Sequence, residues 1–104
     1  MIISINLCSC RCMIHSSTKV ILKMTVSVGC FPIIAIFESK DKNIPENVKE
    51  QNAVAMSSKN ENTSTTTLVA NLKPGCYYFY YGFIQSNTGV SQLKIYSSYP
   101  VQFF

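Results

Sequence analysis

Hydrophobic and polar positions alternate with a period of two along much of this chain. Val20, Leu22, Met24, Val26 and Val28 recur at every second position, with Lys19, Lys23, Thr25 and Ser27 between them and Ile21 as the one exception. Such alternation describes an extended strand with one face buried and the other wet. Gly29 punctuates the pattern. The run Phe31 to Phe37 is then apolar on both faces, as a strand inside a sheet would be. Pro32 stands near its beginning, where proline is tolerated. The polar stretch 38–52 predicts a loop, with one helical turn from Pro45. Short strands follow over 53–58 and 64–72, the second rich in β-branched threonine ahead of Leu68 and Val69. Lys73-Pro74-Gly75 is a turn, Cys76 to Ile84 an aromatic strand, and Asn87-Thr88-Gly89 a second turn. Val90 to Tyr96 returns, with Leu93 and Ile95 on one face, and 99–104 forms a last apolar stub. The pattern predicts an all-β chain: a single antiparallel β-sandwich of about six to eight short strands. The sandwich is expected over 18–104, behind an irregular or disordered cysteine-rich leader at 1–17.

Composition narrows the possibilities. A chain of 104 residues holds one domain, and 13% charged against 47% hydrophobic residues argues against intrinsic disorder. It is too short for a complete papain-type, α/β-hydrolase or dinucleotide-binding enzyme domain. Nine basic residues against five acidic give a net charge of +4, but the lysines are spread along the sequence. The aromatic stretch Tyr77 to Phe83 contains no basic residue, so no nucleic-acid partner is expected.

The five cysteines, Cys8, Cys10, Cys12, Cys30 and Cys76, are odd in number and do not suggest a closed disulfide framework. Cys8, Cys10 and Cys12, with His15 just beyond, are weak metal-ligand candidates. Zinc sites pair cysteines at wider spacing and need a fourth ligand held by a fold. Cys30 and Cys76 read as small buried hydrophobes. His15 is the sole histidine, and no scaffold orients it beside Cys12, so no catalytic residue is expected. Calcium takes 6–8 oxygen ligands. With Asp41 the single aspartate and Glu38, Glu46, Glu50 and Glu61 dispersed, a calcium site is disfavoured and no cofactor is expected.

The apolar start is broken by Ser4 and Asn6 and lacks a preceding basic residue, unlike a secretory signal. No run approaches the length of a transmembrane helix, so the expectation is a cytoplasmic chain without a membrane span. Secretion is the alternative, in which case the sequon Asn62-Thr63-Ser64 becomes relevant. Along the aromatic strand, alternation sets Tyr77, Phe79, Tyr81 and Phe83 on one face and Tyr78 and Tyr80 on the other. One face is core. Tyr78 and Tyr80 form either a possible interaction face, for sugars or a neighbouring domain, or a second covered face.

The C-terminal third resembles the β-sandwich third domain of the calpain large subunit. Leu72-Lys73-Pro74-Gly75-Cys76-Tyr77 is similar to that family's Leu-x-Pro-Gly-x-Tyr. Leu93-Lys94-Ile95-Tyr96-Ser97, followed by Pro100, is similar to its closing strand, with Gly89 in the intervening turn. The same features also resemble the pre-peptidase C-terminal sandwich of secreted bacterial proteins. The first resemblance implies a non-catalytic regulatory domain packing against an adjacent protease domain, a protein partner or, peripherally, a membrane surface. The second implies a secreted adhesion or carbohydrate-binding module. The acidic loop of calpain third domains has no dense counterpart here, and the protease core is absent.

Overall fold

The computed structural model describes residues 3–27, 29–39, 53–57, 63–85, 92–99 and 102–103. Among these residues eight strands follow one another: β1 (Ile3–Ile14), β2 (Thr18–Val26), β3 (Cys30–Glu38), β4 (Ala55–Met56), β5 (Thr65–Leu72), β6 (Gly75–Gln85), β7 (Leu93–Ser97) and β8 (Gln102–Phe103). They form two antiparallel sheets, one of five strands in the order β4-β3-β6-β1-β8 and one of three in the order β5-β2-β7. The all-β sandwich expected from the period-two pattern is the fold. The helical turn expected at Pro45 lies outside the described residues.

The core lies between the sheets and is built by alternation. Val20, Leu22, Met24 and Val26 point inward from β2, Leu68, Ala70 and Leu72 from β5, and Tyr77, Phe79, Tyr81 and Phe83 from β6. β1 adds Cys10, Cys12 and Ile14, and β3 adds Cys30, Ile34 and Ile36. β6 is the axis of the larger sheet. It pairs with β1 from Ile3↔Gln85 to Ile14↔Gly75, and with β3 from Cys30↔Gln85 to Glu38↔Tyr77.

β1 corrects the expectation of an irregular leader. Cysteine packs like a small hydrophobe, so buried Cys10, Cys12 and Ile14 alternating with Arg11 and Met13 make a period-two strand. Cys10 is 0% exposed and Met13 52%. A register shift between Asn6 and Cys8 interrupts the parity of this strand.

Two turns show why particular residues stand where they do. The Cys30 N–H donates to the Ser27 carbonyl at 3.1 Å, closing a β-turn whose third residue, Gly29, has φ +92°. A side chain is strained at that angle, so glycine carries the crossing from β2 to β3. At another crossing, the chain leaves β5 after buried Leu72 and enters β6 through Pro74 and Gly75. The Tyr77 hydroxyl donates back to the Lys73 carbonyl at 2.8 Å, locking that corner. The Leu-x-Pro-Gly-x-Tyr motif is thus a structural corner.

Pro32 costs the sheet nothing on its paired side. Ile34 bonds toward the β4 side, its N–H donating to Ser57 Oγ at 2.9 Å and its carbonyl accepting from the Ser57 N–H at 2.8 Å. Pro32, two residues earlier, has the same parity, so its missing donor falls away from β6.

Two outcomes are expected. A chain beginning at Thr18 loses β1 and strips one side of β6. It should show no dispersed amide spectrum and no cooperative denaturation, whereas a dispensable leader would leave both intact. Tyr77→Phe should lower stability by about 1 kcal/mol, read as a reduced urea midpoint at unchanged slope.

Candidate interaction surface

The outward faces of the two sheets differ sharply. On the larger sheet, Ile33, Ala35 and Phe37 of β3 and Tyr78 and Tyr80 of β6 form a second apolar cluster, packed against Phe31, Ala53 and Met56. Tyr78 is 2% exposed and Tyr80 4%. This corrects the idea of an open tyrosine platform: both rings are covered, in part by the segment Ala53–Ser57 that runs along β3. Met56 opposite Ala35 and the Val54 N–H on the Ile36 carbonyl, at 2.7 Å, hold that segment there. The Tyr78 hydroxyl is buried without a hydrogen-bond partner, a group stranded in an apolar layer.

Of the weak metal candidates, the Cys8 side chain lies outside those described. Cys10 and Cys12 point into the core, and His15 is exposed in the bend beyond β1. Among the described residues no three His, Cys, Asp or Glu side chains converge on one point. None of Cys10, Cys12, Cys30 and Cys76 is held in a disulfide. Burial, with neighbouring Cys76 adding to it, pushes the Cys12 thiol up from 9.0 to about 11. A protonated thiol is the weak form of the nucleophile and the wrong form of a metal ligand.

The motif residues fall into two groups. Leu72 and Tyr77 are buried at the corner, with exposed Pro74 and half-buried Gly75 between them. Ile95 and Ser97 of β7 are half-buried, Leu93 is 42% exposed and Tyr96 55%. Gly89 and Pro100 lie outside the described residues. So do Asp41, Glu46, Glu50, Glu61 and the sequon asparagine, Asn62, while Glu38 is exposed at the end of β3.

The open face belongs to the smaller sheet. β2 turns Lys19, Ile21, Lys23 and Thr25 outward, and β5 turns Thr65, Thr67, Val69 and Asn71. β7 adds Lys94 and Tyr96. The register sets Lys23 beside Tyr96 and Thr25 beside Lys94, and the Lys23 ammonium stands 5.9 Å from the Tyr96 ring centroid. Ile21 faces Val69, and the Thr25 and Thr65 hydroxyls are hydrogen-bonded at 3.0 Å. None of these three strands contains an acidic residue. The face runs on into a cleft of about 370 Å³ lined by Ser17, Thr18, Lys19, Asn71, Leu72 and Lys73.

The linear reading of the lysines as scattered missed this surface. Lys19 and Lys23 sit opposite the core positions of β2, which was visible in the alternation. Lys94 joins them only because β7 pairs with β2 across some seventy residues of chain. No family model, curated protein or solved structure matches the chain.

The thiol and the stranded hydroxyl each give an expected outcome. The folded chain holds the Cys12 proton that the unfolded chain releases near pH 9. The corresponding stability is therefore complete below pH 9 and lost as pH rises toward about 11. Urea midpoints of the native chain should fall more steeply than those of Cys12→Ala over that interval; parallel curves would refute this. Tyr78→Phe should be neutral or stabilising by up to about 1 kcal/mol, opposite in sign to Tyr77→Phe.

Proposed function

We propose that this chain is a non-catalytic interaction β-sandwich, of the regulatory kind that the calpain third domain represents, working by docking rather than by chemistry. The observation that carries this reading is the outer face of β5-β2-β7. Lys19, Lys23 and Lys94 stand there on one exposed sheet surface with Tyr96, and no carboxylate lies on these strands. Such a face fits an acidic surface, on a neighbouring protease domain, another protein or a membrane. Its attraction is strongest at low ionic strength, because exposed charges are screened beyond about 8–10 Å in physiological salt. The Leu-x-Pro-Gly-x-Tyr corner, anchored by buried Leu72 and Tyr77, supports the domain type by giving the motif a mechanical role. The reading places the chain in the cytoplasm beside such a partner. The carbohydrate-binding alternative draws no support from Tyr78 and Tyr80, whose rings are covered.

Two measurements test this. The purified chain should hydrolyse no peptide substrate with or without calcium; turnover abolished by a thiol-alkylating reagent would overturn the reading. The chain should also be retained on immobilised polyglutamate at low salt. The triple variant Lys19→Glu, Lys23→Glu, Lys94→Glu should lose that retention at an unchanged thermal midpoint. Equal retention of the variant would remove the face from the proposal.

A further inference from the structure

The four sheet edges are not equivalent. β4 and β8 are two-residue strands, and β7 carries Lys94. β5 ends its sheet with eight residues and no charge, proline or register shift. From Thr63 to Leu72 the sequence is Thr-Ser-Thr-Thr-Thr-Leu-Val-Ala-Asn-Leu, uncharged and rich in β-branched residues. Natural sheets guard long edges with charge, proline or bulges, and this one has none of these devices.

The hydrogen-bond parity says which backbone groups the edge presents. The Val26 N–H donates to the Ser64 carbonyl at 2.9 Å, one step beyond the pair Thr25↔Thr65. Direct bonding in an antiparallel ladder recurs at every second pair. Thr66, Leu68, Ala70 and Leu72 therefore bond to β2. The opposite parity serves β7, since the Ser98 N–H donates to the Ile21 carbonyl at 3.0 Å. Hence the N–H and C=O groups of Thr67, Val69 and Asn71 point away from β2, along the outer edge. The Thr65 carbonyl on that side accepts from the Thr63 hydroxyl at 3.0 Å.

We propose that this edge pairs with the β5 edge of a second copy of the chain, in antiparallel register about a two-fold axis near Leu68 and Val69, joining two three-stranded sheets into one of six strands. The occupant follows from self-complementarity. A two-fold axis sets each strand against its own reverse, so Thr67, Val69 and Asn71 meet only one another and no charge opposes a like charge. Valine and threonine are also the side chains that favour cross-strand pairing. A foreign peptide would need pockets for alternate side chains along the whole strand, whereas the cleft beside β5 meets only its Asn71–Leu72 end. One edge against another buries less than the ~800 Å² per partner of a standard interface, so the dimer forms on the order of 100 µM, not nanomolar.

The proposal stands apart from the acidic-partner reading, because the face lysines rise from β2 and β7 and not from β5. Sedimentation equilibrium of the purified chain from about 10 µM to 1 mM should show a reversible monomer–dimer equilibrium. With rising concentration, amide exchange should slow at Thr67, Val69 and Asn71 and not along β7. Val69 is 50% exposed, so Val69→Lys should fold with an unchanged thermal midpoint and weaken dimerisation by roughly tenfold or more. Val69→Pro, which removes an outward-facing N–H and no bond to β2, should do the same. A chain monomeric throughout overturns the proposal, as does a dimer indifferent to both variants. Slowed exchange at these amides only on adding an unrelated threonine- and valine-rich peptide would assign the edge to a foreign strand instead.

Discussion

Everything in this fold hangs on β6 being paired on both sides and covered on both faces. A strand in that position needs an apolar residue at nearly every step, and Cys-Tyr-Tyr-Phe-Tyr-Tyr-Gly-Phe supplies it. Its odd residues close the core against β2 and β5, while Tyr78 and Tyr80 close a second layer with β3. Using tyrosine rather than phenylalanine brings a hydroxyl with each ring. Where the hydroxyl reaches a carbonyl, as Tyr77 reaches Lys73, it fixes the crossing between sheets. Where it reaches nothing, as at Tyr78, the layer carries a buried polar group without return.

Much of this arrangement was legible because burial on one face writes period two into the sequence. β2 and β5 could be placed to within two residues at either end and β7 to within one at its close, and β3 stood out as apolar on both faces. β1 was not legible, for two physical reasons. Its inward residues at 10 and 12 are cysteines, whose packing resembles that of a small aliphatic but whose chemistry invites a ligand reading. The register shift between Asn6 and Cys8 then breaks the parity that alternation depends on. For Tyr78 and Tyr80 alternation left two readings, an interaction face or a second covered face, and the rings are covered. What covers them includes Ala53 and Met56, brought to β3 by a pairing that no local pattern announces.

The lysine face shows the same limit from the other side. Each lysine occupies a position that local alternation already marks as wet, so none is surprising alone. What makes a surface of them is the β2–β7 register, which sets Lys23 and Tyr96 side by side. The larger sheet is clothed on its outer face along β3 and β6, while β1 turns Met13 to solvent, and among the described residues the smaller sheet is covered on its inner face only. A partner that meets this domain face-on therefore meets threonine, lysine and tyrosine, on strands that carry no carboxylate. Electrostatics of that kind governs encounter and salt dependence more than final affinity.

Parity also separates the two kinds of contact that the smaller sheet offers. In β5 the residues turned to solvent are the same ones whose backbone groups point past the sheet, so a charge placed there would guard the edge and alter the face together. The lysines instead lie on β2 and β7, where the backbone groups of Lys19, Lys23 and Lys94 are not on the β5 edge. The consequence is quantitative. Two copies joined along β5 would hold their β2 strands three strand spacings apart, roughly 14 Å. That exceeds the ~8 Å screening length at physiological salt, so the lysine rows of β2 repel only weakly across the joint. Had the same charges stood on β5 itself, they would oppose each other at about 5 Å, where like charges destabilise a strand pair. A chain of net charge +4 can thus keep an uncharged edge open to its own copy while presenting lysine on the face beside it.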